Sequence, residues 1–364
     1  MTKKTKKEER RRKKMFLMIF MILFVGIVLT ASTYAWFTTN RNVQVNSIDV
    51  NVAASDGLLI SVDAEHWGPT VTVADLIGNN SNWAGNANQL PGADGTNVPL
   101  QPVSTDGTIL KVKAEGSEEM VNSGRLRMFR GNVVANEANG TFTLGSSAST
   151  ESRRTDGGDF VAFDIFLQST KSQKLYLAQG SGVTVRTQNT DTGIKNAARV
   201  AFLVQGSVAQ GSTAASAQAL IGATSSWIWE PNFEMHTAAG YDNARNTYHV
   251  DAGTFTANAD RSSYTTTAAL PYRGLIAEIP EDDLQSLDST SETYFSKEPV
   301  STHTSPSTGI PKGNIEFITL NEGITKVRVY MWFEGQDVDC EDKASNGQVA
   351  LDLKFSLDGP EESA

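Results

Sequence analysis

The sequence predicts an all-β protein, an antiparallel β-sandwich carrying long insertions behind an N-terminal export helix. Three observations carry this reading. Apolar residues recur with a period of two in many short segments, helical periodicity is scarce, and Gly, Asn, Asp and Ser punctuate the segments at turn positions. The chain has 364 residues, 39% of them hydrophobic, which is enough for a large core. Gly and Pro number 30 and 11, near the usual share, so collagen-like and low-complexity classes are excluded.

Charge is unevenly distributed along the chain. Nine of the 31 basic side chains and two of the 41 acidic ones precede residue 36, so the remainder carries a net charge of −17. The basic head KKTKKEERRRKK is followed by an uncharged run, 15–37, that ends in TYAWF. A basic head before an apolar run is an export signal. Small residues at Thr33 and Ala35 suit cleavage beside Ala35 or Trp36 by signal peptidase. The 23-residue run is also long enough to span a bilayer as an uncleaved signal anchor. Residues 1–36 are therefore read as signal peptide or anchor. Residues 37–364 are read as an extracellular or cell-surface sandwich, with insertions near 79–106 and 209–308. The acidic remainder argues against nucleic acid as a partner.

In chain order, VQVNSIDVNV (43–52) reads as the first strand, with Ser47 disturbing the alternation in the manner of a bulge. LLISVD (58–63) follows a turn at Asp56-Gly57, and RGNVVANEANGTFTLG reads as a hairpin turning at Asn139-Gly140. Strands are expected at 160–168, 174–178, 183–186 and 198–205. A short helix is expected after Pro280, where Glu281, Asp282 and Asp283 suit a helix N-terminus. The last expectation is a C-terminal hairpin. In TKVRVYMWFE, Val327, Val329, Met331 and Phe333 share one face, opposite Lys326, Arg328, Tyr330 and Trp332. In QVALDLKFSL, Val349, Leu351, Leu353, Phe355 and Leu357 share one face.

Chemistry-bearing motifs are few. No nucleophile elbow, HExxH, phosphate-binding glycine loop or dinucleotide fingerprint occurs, so no enzymatic activity is assigned. His66, His236, His249 and His303 are far apart and read as scattered surface residues. The single Cys340 forms no internal disulfide and reads as a half-buried small residue. The acidic run EGQDVDCED falls between the two C-terminal strands, as the tip of their hairpin. There Glu334, Asp337, Asp339 and Glu341 offer oxygen ligands of the kind Ca²⁺ takes. The ordinary reading of such a tip is a solvated loop, and Asp342 stands where a calcium loop needs Gly. No other cofactor is expected.

At the junction of export run and ectodomain, TYAWFTTNRNVQVNSIDVNVAAS (33–55) resembles the start of the TasA and camelysin family of Gram-positive surface proteins. The resemblance covers about 25 residues: a small-aromatic signal-peptide end, a polar spacer and an alternating strand. Trp36 departs from the family's small residue before the cut, so cleavage falls at Ala35/Trp36 or Trp36/Phe37. The resemblance implies a jelly-roll-like sandwich and a fibre subunit of the biofilm matrix. In such fibres the mature N-terminal segment pairs with the next subunit as a donated strand. Here that segment runs from Phe37 through Val43, Val45, Ile48, Val50 and Val52, and the partner is a second copy of the chain. An ordinary first strand in its own sandwich is the competing reading. The protease activity assigned to camelysin has no residues to carry it in this chain.

The C-terminal FSLDGPEESA has no sortase motif or apolar tail, and no Cys follows the apolar run. Attachment is thus expected through the uncleaved helix, polymerisation or another surface component. A structural or adhesive protein is the leading expectation. A membrane-anchored module binding a surface polysaccharide or protein comes second, and an extracellular hydrolase third.

Overall fold

The computed structural model describes residues 43–46, 49–54, 57–78, 82–83, 86–91, 97–136, 141–151, 158–186, 190–266, 270, 273–297, 300–301, 315–341, 344 and 347–358. The export run, Ala35, Trp36, Phe37, Ile48, His303 and Asp342 lie outside the described residues. Among the described residues no helix is long and apolar enough to cross a membrane.

Twelve strands build two facing sheets, numbered in chain order. They are β1 (Asp49–Ala54), β2 (Leu59–Ser61), β3 (Thr70–Thr72), β4 (Val161–Ser169), β5 (Gln173–Leu177) and β6 (Gly182–Val185), then β7 (Ala198–Val208), β8 (Trp227–Trp229), β9 (Val300–Ser301), β10 (Ile315–Leu320), β11 (Gly323–Phe333) and β12 (Val349–Ser356). Sheet one runs β10-β5-β12-β1-β3, with β6 also on β12. Sheet two runs β9-β8-β7-β11-β4-β2. Their inner faces share one core, where Val50, Leu175, Leu351 and Leu353 of sheet one meet Phe163, Val200, Val327 and Val329 of sheet two. The all-β expectation holds. The sheets are not purely antiparallel, because β1 runs parallel to β12 and β8 parallel to β9.

The C-terminal hairpin is corrected. β11 and β12 belong to different sheets, and their apolar faces meet across the core. Both edges of β11 are already filled, by β4 along nine residue pairs and by β7 along ten. With its ladder groups satisfied on both sides, β11 has no edge to offer β12. The alternation of Val327, Val329, Met331 and Phe333 toward the core is as the period of two requires.

The opposite face of β11 is not solvated. A third layer covers it, made of the sheet Val103–Ser104, Met128–Asn136 and Thr141–Ser149 together with the pair Ile109–Lys113 and Met120–Leu126. Leu126, Met128 and Val103 pack there on Tyr330 and Trp332. Lys326 and Arg328 are therefore fully buried and must be paired. Arg328 Nη1 donates to Asp164 Oδ1, its cross-strand neighbour, at 3.0 Å, and Nη2 donates to Glu151 Oε2 at 2.7 Å. Lys326 Nζ donates to the carbonyls of Gln218 and Leu220 at 2.9 and 3.1 Å and lies 3.4 Å from Asp164 Oδ2. Burial lowers the Lys326 pKa, and Asp164 works against that shift.

The region 209–308 is woven into this frame. It supplies β8 and β9 to sheet two, and Leu275, Ile279 and Phe295 pack on Phe129 and Leu144 of the third layer. It also holds two helices that the alternation pattern did not reveal, Ala214–Gln218 and Ala238–Asn246. Each follows a Thr-Ala-Ala step in which the Thr side chain accepts from a backbone N–H of the first turn, at Ser216 and Gly240 respectively. The helix expected after Pro280 is a single turn, closed by Asp283 N donating to Pro280 O at 3.1 Å. Three acids at a helix start supply charge but no apolar face to bury.

Candidate functional site

The acidic segment after β11 is an interior seam rather than a hairpin tip. Glu334, Gln336, Asp337, Val338, Asp339 and Cys340 are all at most 3% exposed. Backbone bonds fix its start, with Glu334 N donating to Ala197 O at 2.8 Å and Gly335 N to Val103 O at 3.0 Å. Trp332 Nε1 donates to Glu334 Oε2 at 3.1 Å. Arg199, itself fully buried on β7, reaches Asp337 Oδ2 at 3.0 Å and Glu230 Oε1 at 3.2 Å. Asp339 binds the start of the helix Ala238–Asn246. His236 Nδ1 lies 2.7 Å from Asp339 Oδ2, and both the N–H and hydroxyl of Thr237 donate to Asp339 Oδ1. A Cβ on Gly240 would fall 2.2 Å from Asp339 Oδ1, so this close seat requires glycine.

Protonation in the seam follows from burial. Burial pushes the Glu334 and Asp337 carboxyls above the ordinary carboxylate range, and Arg199 offsets part of that rise. Burial works against a charged His236, but Asp339 beside it, with Asp337 and Glu230 nearby, leaves its pKa raised. The Cys340 thiol is pushed well up by burial and the surrounding acids.

This arrangement corrects two expectations. His236 is a buried partner of Asp339, not a surface histidine. The carboxylates of Glu334, Asp337 and Asp339 are engaged by Arg199, His236, the Trp332 side chain and backbone N–H groups, not presented to a cation at a loop tip. Glu341 is half-buried, and its carbonyl accepts from Ala344 N at 2.9 Å. Among the described residues no group of three or more His, Cys, Asp or Glu side chains could hold a metal ion. The missed signal was Arg199: an arginine inside the apolar run ARVAFLVQ has to find buried acids.

The second candidate is the N-terminal strand. The 43–52 segment is two strands: Val43–Asn46 pairs antiparallel with Asn97–Leu100, and β1 enters sheet one. β1 pairs along six residues with β12, from Asp49 opposite Ala350 to Ala54 opposite Phe355. On its other side Asn51, Val52 and Ala53 pair with β3. Val50 and Val52 are at most 1% exposed, whereas Asn51 points outward and donates to Asp352 Oδ1 at 3.2 Å. β12 has β5 and β6 on its far side, so without β1 one edge of β12 is open over six residues. The core between β12 and β3 is then uncovered as well.

No family model, characterised protein or solved structure matches this chain. Function has to come from the chain's own residues and geometry. Those offer one strand near the chain start whose removal opens a sheet, and a buried seam that ties the 209–308 region to the frame.

Proposed function

We propose that the protein is an exported structural component of a Gram-positive cell surface or its matrix, a jelly-roll-like fibre subunit that polymerises by exchange of β1. Within one chain β1 sits as an ordinary first strand of its own sandwich, and the reading is carried by the kind of seat it fills in sheet one. Six ladder positions and two core valines belong to a strand that follows the proposed cleavage site by about a dozen residues. A strand near a free chain end can leave its sheet without threading a loop. The same strand from a second copy fills the same gap with the same contacts, so exchange adds no foreign interface. Each subunit then donates at one end and accepts along β12, a head-to-tail relation that extends into a filament when its rotation does not close a ring. The basic head and apolar run support export, and the resemblance of 33–55 to TasA and camelysin proteins agrees with this reading.

The test compares a chain beginning at Phe37 with one beginning at Ser55. The longer chain is expected to form filaments by electron microscopy in a concentration-dependent way. The shorter one is expected to stay monomeric, with a reduced melting temperature that a synthetic 43–56 peptide restores in trans. A Phe37 chain that stays monomeric at every concentration defeats the proposal. So does a Ser55 chain that the peptide cannot rescue.

A further inference from the structure

The 209–308 region and the acidic seam together enclose a cleft of about 270 Å³, distinct from sheet one and its β1 gap. Tyr248 and His249 enter it from beyond the helix Ala238–Asn246, Arg273 from the strand Arg273–Leu275, Asp288 and Thr290 from a turn, and Gln336 from the seam.

Three features mark the cleft as built for a polar ligand. His249 adopts a left-handed backbone, φ 56°, a conformation that costs a non-glycine residue free energy and collects at ligand clamps. Its Nε2 lies 3.8 Å from Asp288 Oδ2, with the His249 and Asp288 side chains 75% and 47% exposed. Gln336 is 3% exposed, and its Oε1 lies 3.4 Å from the Tyr248 hydroxyl, which donates to it. Its Nε2 has no hydrogen-bond partner, a costly state for a buried donor. Half-buried Arg273 makes no ion pair or side-chain hydrogen bond among the described residues, so five guanidinium donors are unspent.

The chemistry of the walls selects the ligand class. Donors (Arg273, Gln336) and an acceptor (Asp288) share one small space with the Thr290 hydroxyl, while Leu287 and the Tyr248 ring add apolar surface. A simple anion would meet Asp288 as a like charge, and an apolar ligand would strand the guanidinium. A sugar ring has hydroxyls that both donate and accept, together with a C–H face. The volume lies just under the ~300–1,000 Å³ span of small-molecule sites, enough for one ring rather than a long ligand.

We propose that this cleft binds a single sugar residue of a glycan. Arg273 and Gln336 donate to its oxygens, Asp288 accepts from its hydroxyls, and Tyr248 with Leu287 lines the less polar face. The proposal does not depend on strand exchange.

The experiment titrates the Phe37 chain with glucose, galactose, mannose, N-acetylglucosamine and glucuronic acid, with inorganic phosphate as control. Binding is read by saturation-transfer NMR and calorimetry. At least one sugar is expected to bind saturably at millimolar concentration or below. Arg273→Ala, and Thr290→Trp, which fills the cleft from an exposed position, are expected to weaken that sugar by at least about tenfold without lowering the melting temperature. Failure of every sugar to bind overturns the proposal. So does phosphate binding in their place, or sugar binding that both variants leave intact.

Discussion

Replacing Arg199 by Met tests whether the acidic seam is held by buried charge. The side chain is fully buried and lies 3.0 Å from Asp337 and 3.2 Å from Glu230, with Glu334 also within its field. Methionine keeps much of the apolar volume and removes the cation from among four buried acids, Glu230, Glu334, Asp337 and Asp339. Removing one partner of a buried ion pair costs about 3–5 kcal/mol, because the remaining charge has no compensation. The cost should depend on pH with a definite sign. Glu334 and Asp337 already have raised pKa values, and Arg199 is what restrains them, so its loss raises them further. A carboxyl whose folded pKa exceeds its unfolded value favours the fold increasingly as pH falls through the folded value. The deficit of Arg199→Met should therefore be largest near about pH 7.5 and smaller near about pH 5. Urea denaturation of both proteins at the two pH values measures this, since acid effects elsewhere in the chain cancel in the difference. Asp337→Asn in the variant background should recover part of the loss. A deficit below about 1 kcal/mol, equal at both pH values, would refute the account of a charge-held interior.

Other outcomes follow from the same geometry. Leu353→Ala removes a fully buried side chain between β5/β6 and β1, and should cost about 2–5 kcal/mol by chemical denaturation. Gly240→Ala forces a Cβ against Asp339 and should cost about 1–3 kcal/mol, with hydrogen exchange rising first in the helix Ala238–Asn246. In the unaltered protein, His236 is stabilising below its unfolded pKa of 6.5, and that contribution is lost as pH rises through the raised folded value. Glu334 and Asp337 act with the same sign from lower pH, so the melting temperature should fall from mildly acidic to alkaline pH, and Glu334→Gln should flatten that slope. Cys340, buried with its pKa well raised, should resist a thiol reagent until the chain is unfolded in urea.

The period of two was enough to determine most strands of the sandwich. Alternation is a local property, since the pleat sends successive side chains to opposite faces. For that reason 160–168, 174–178, 183–186 and 198–205 are strands, and the residues of β11 and β12 expected inside the core are inside it. Cys340, read as a half-buried small residue, is instead fully buried. Pairing was not legible, because it depends on which edges remain open after every other strand has docked. β11 was claimed on both sides by β7 and β4, and its sequence neighbour β12 paired with β1 from the far end of the chain.

The second face of sheet two was decided by tertiary structure alone. Lys326 and Arg328 alternate with core residues in the pattern of a solvated face, and so do the acids of EGQDVDCED in that of a loop. Only the arrival of the third layer and of the 209–308 region buries them, and only then must Arg328 find Asp164, Arg199 find Asp337, and His236 find Asp339. Those partners lie up to 164 residues apart. A charged side chain carries no local mark of whether water or another layer will cover it, so the sequence determined the strands and their inward faces. Burial of the polar face, with the ion pairs and raised pKa values that follow, came from the packing of distant segments, because desolvation is a property of the assembled layers.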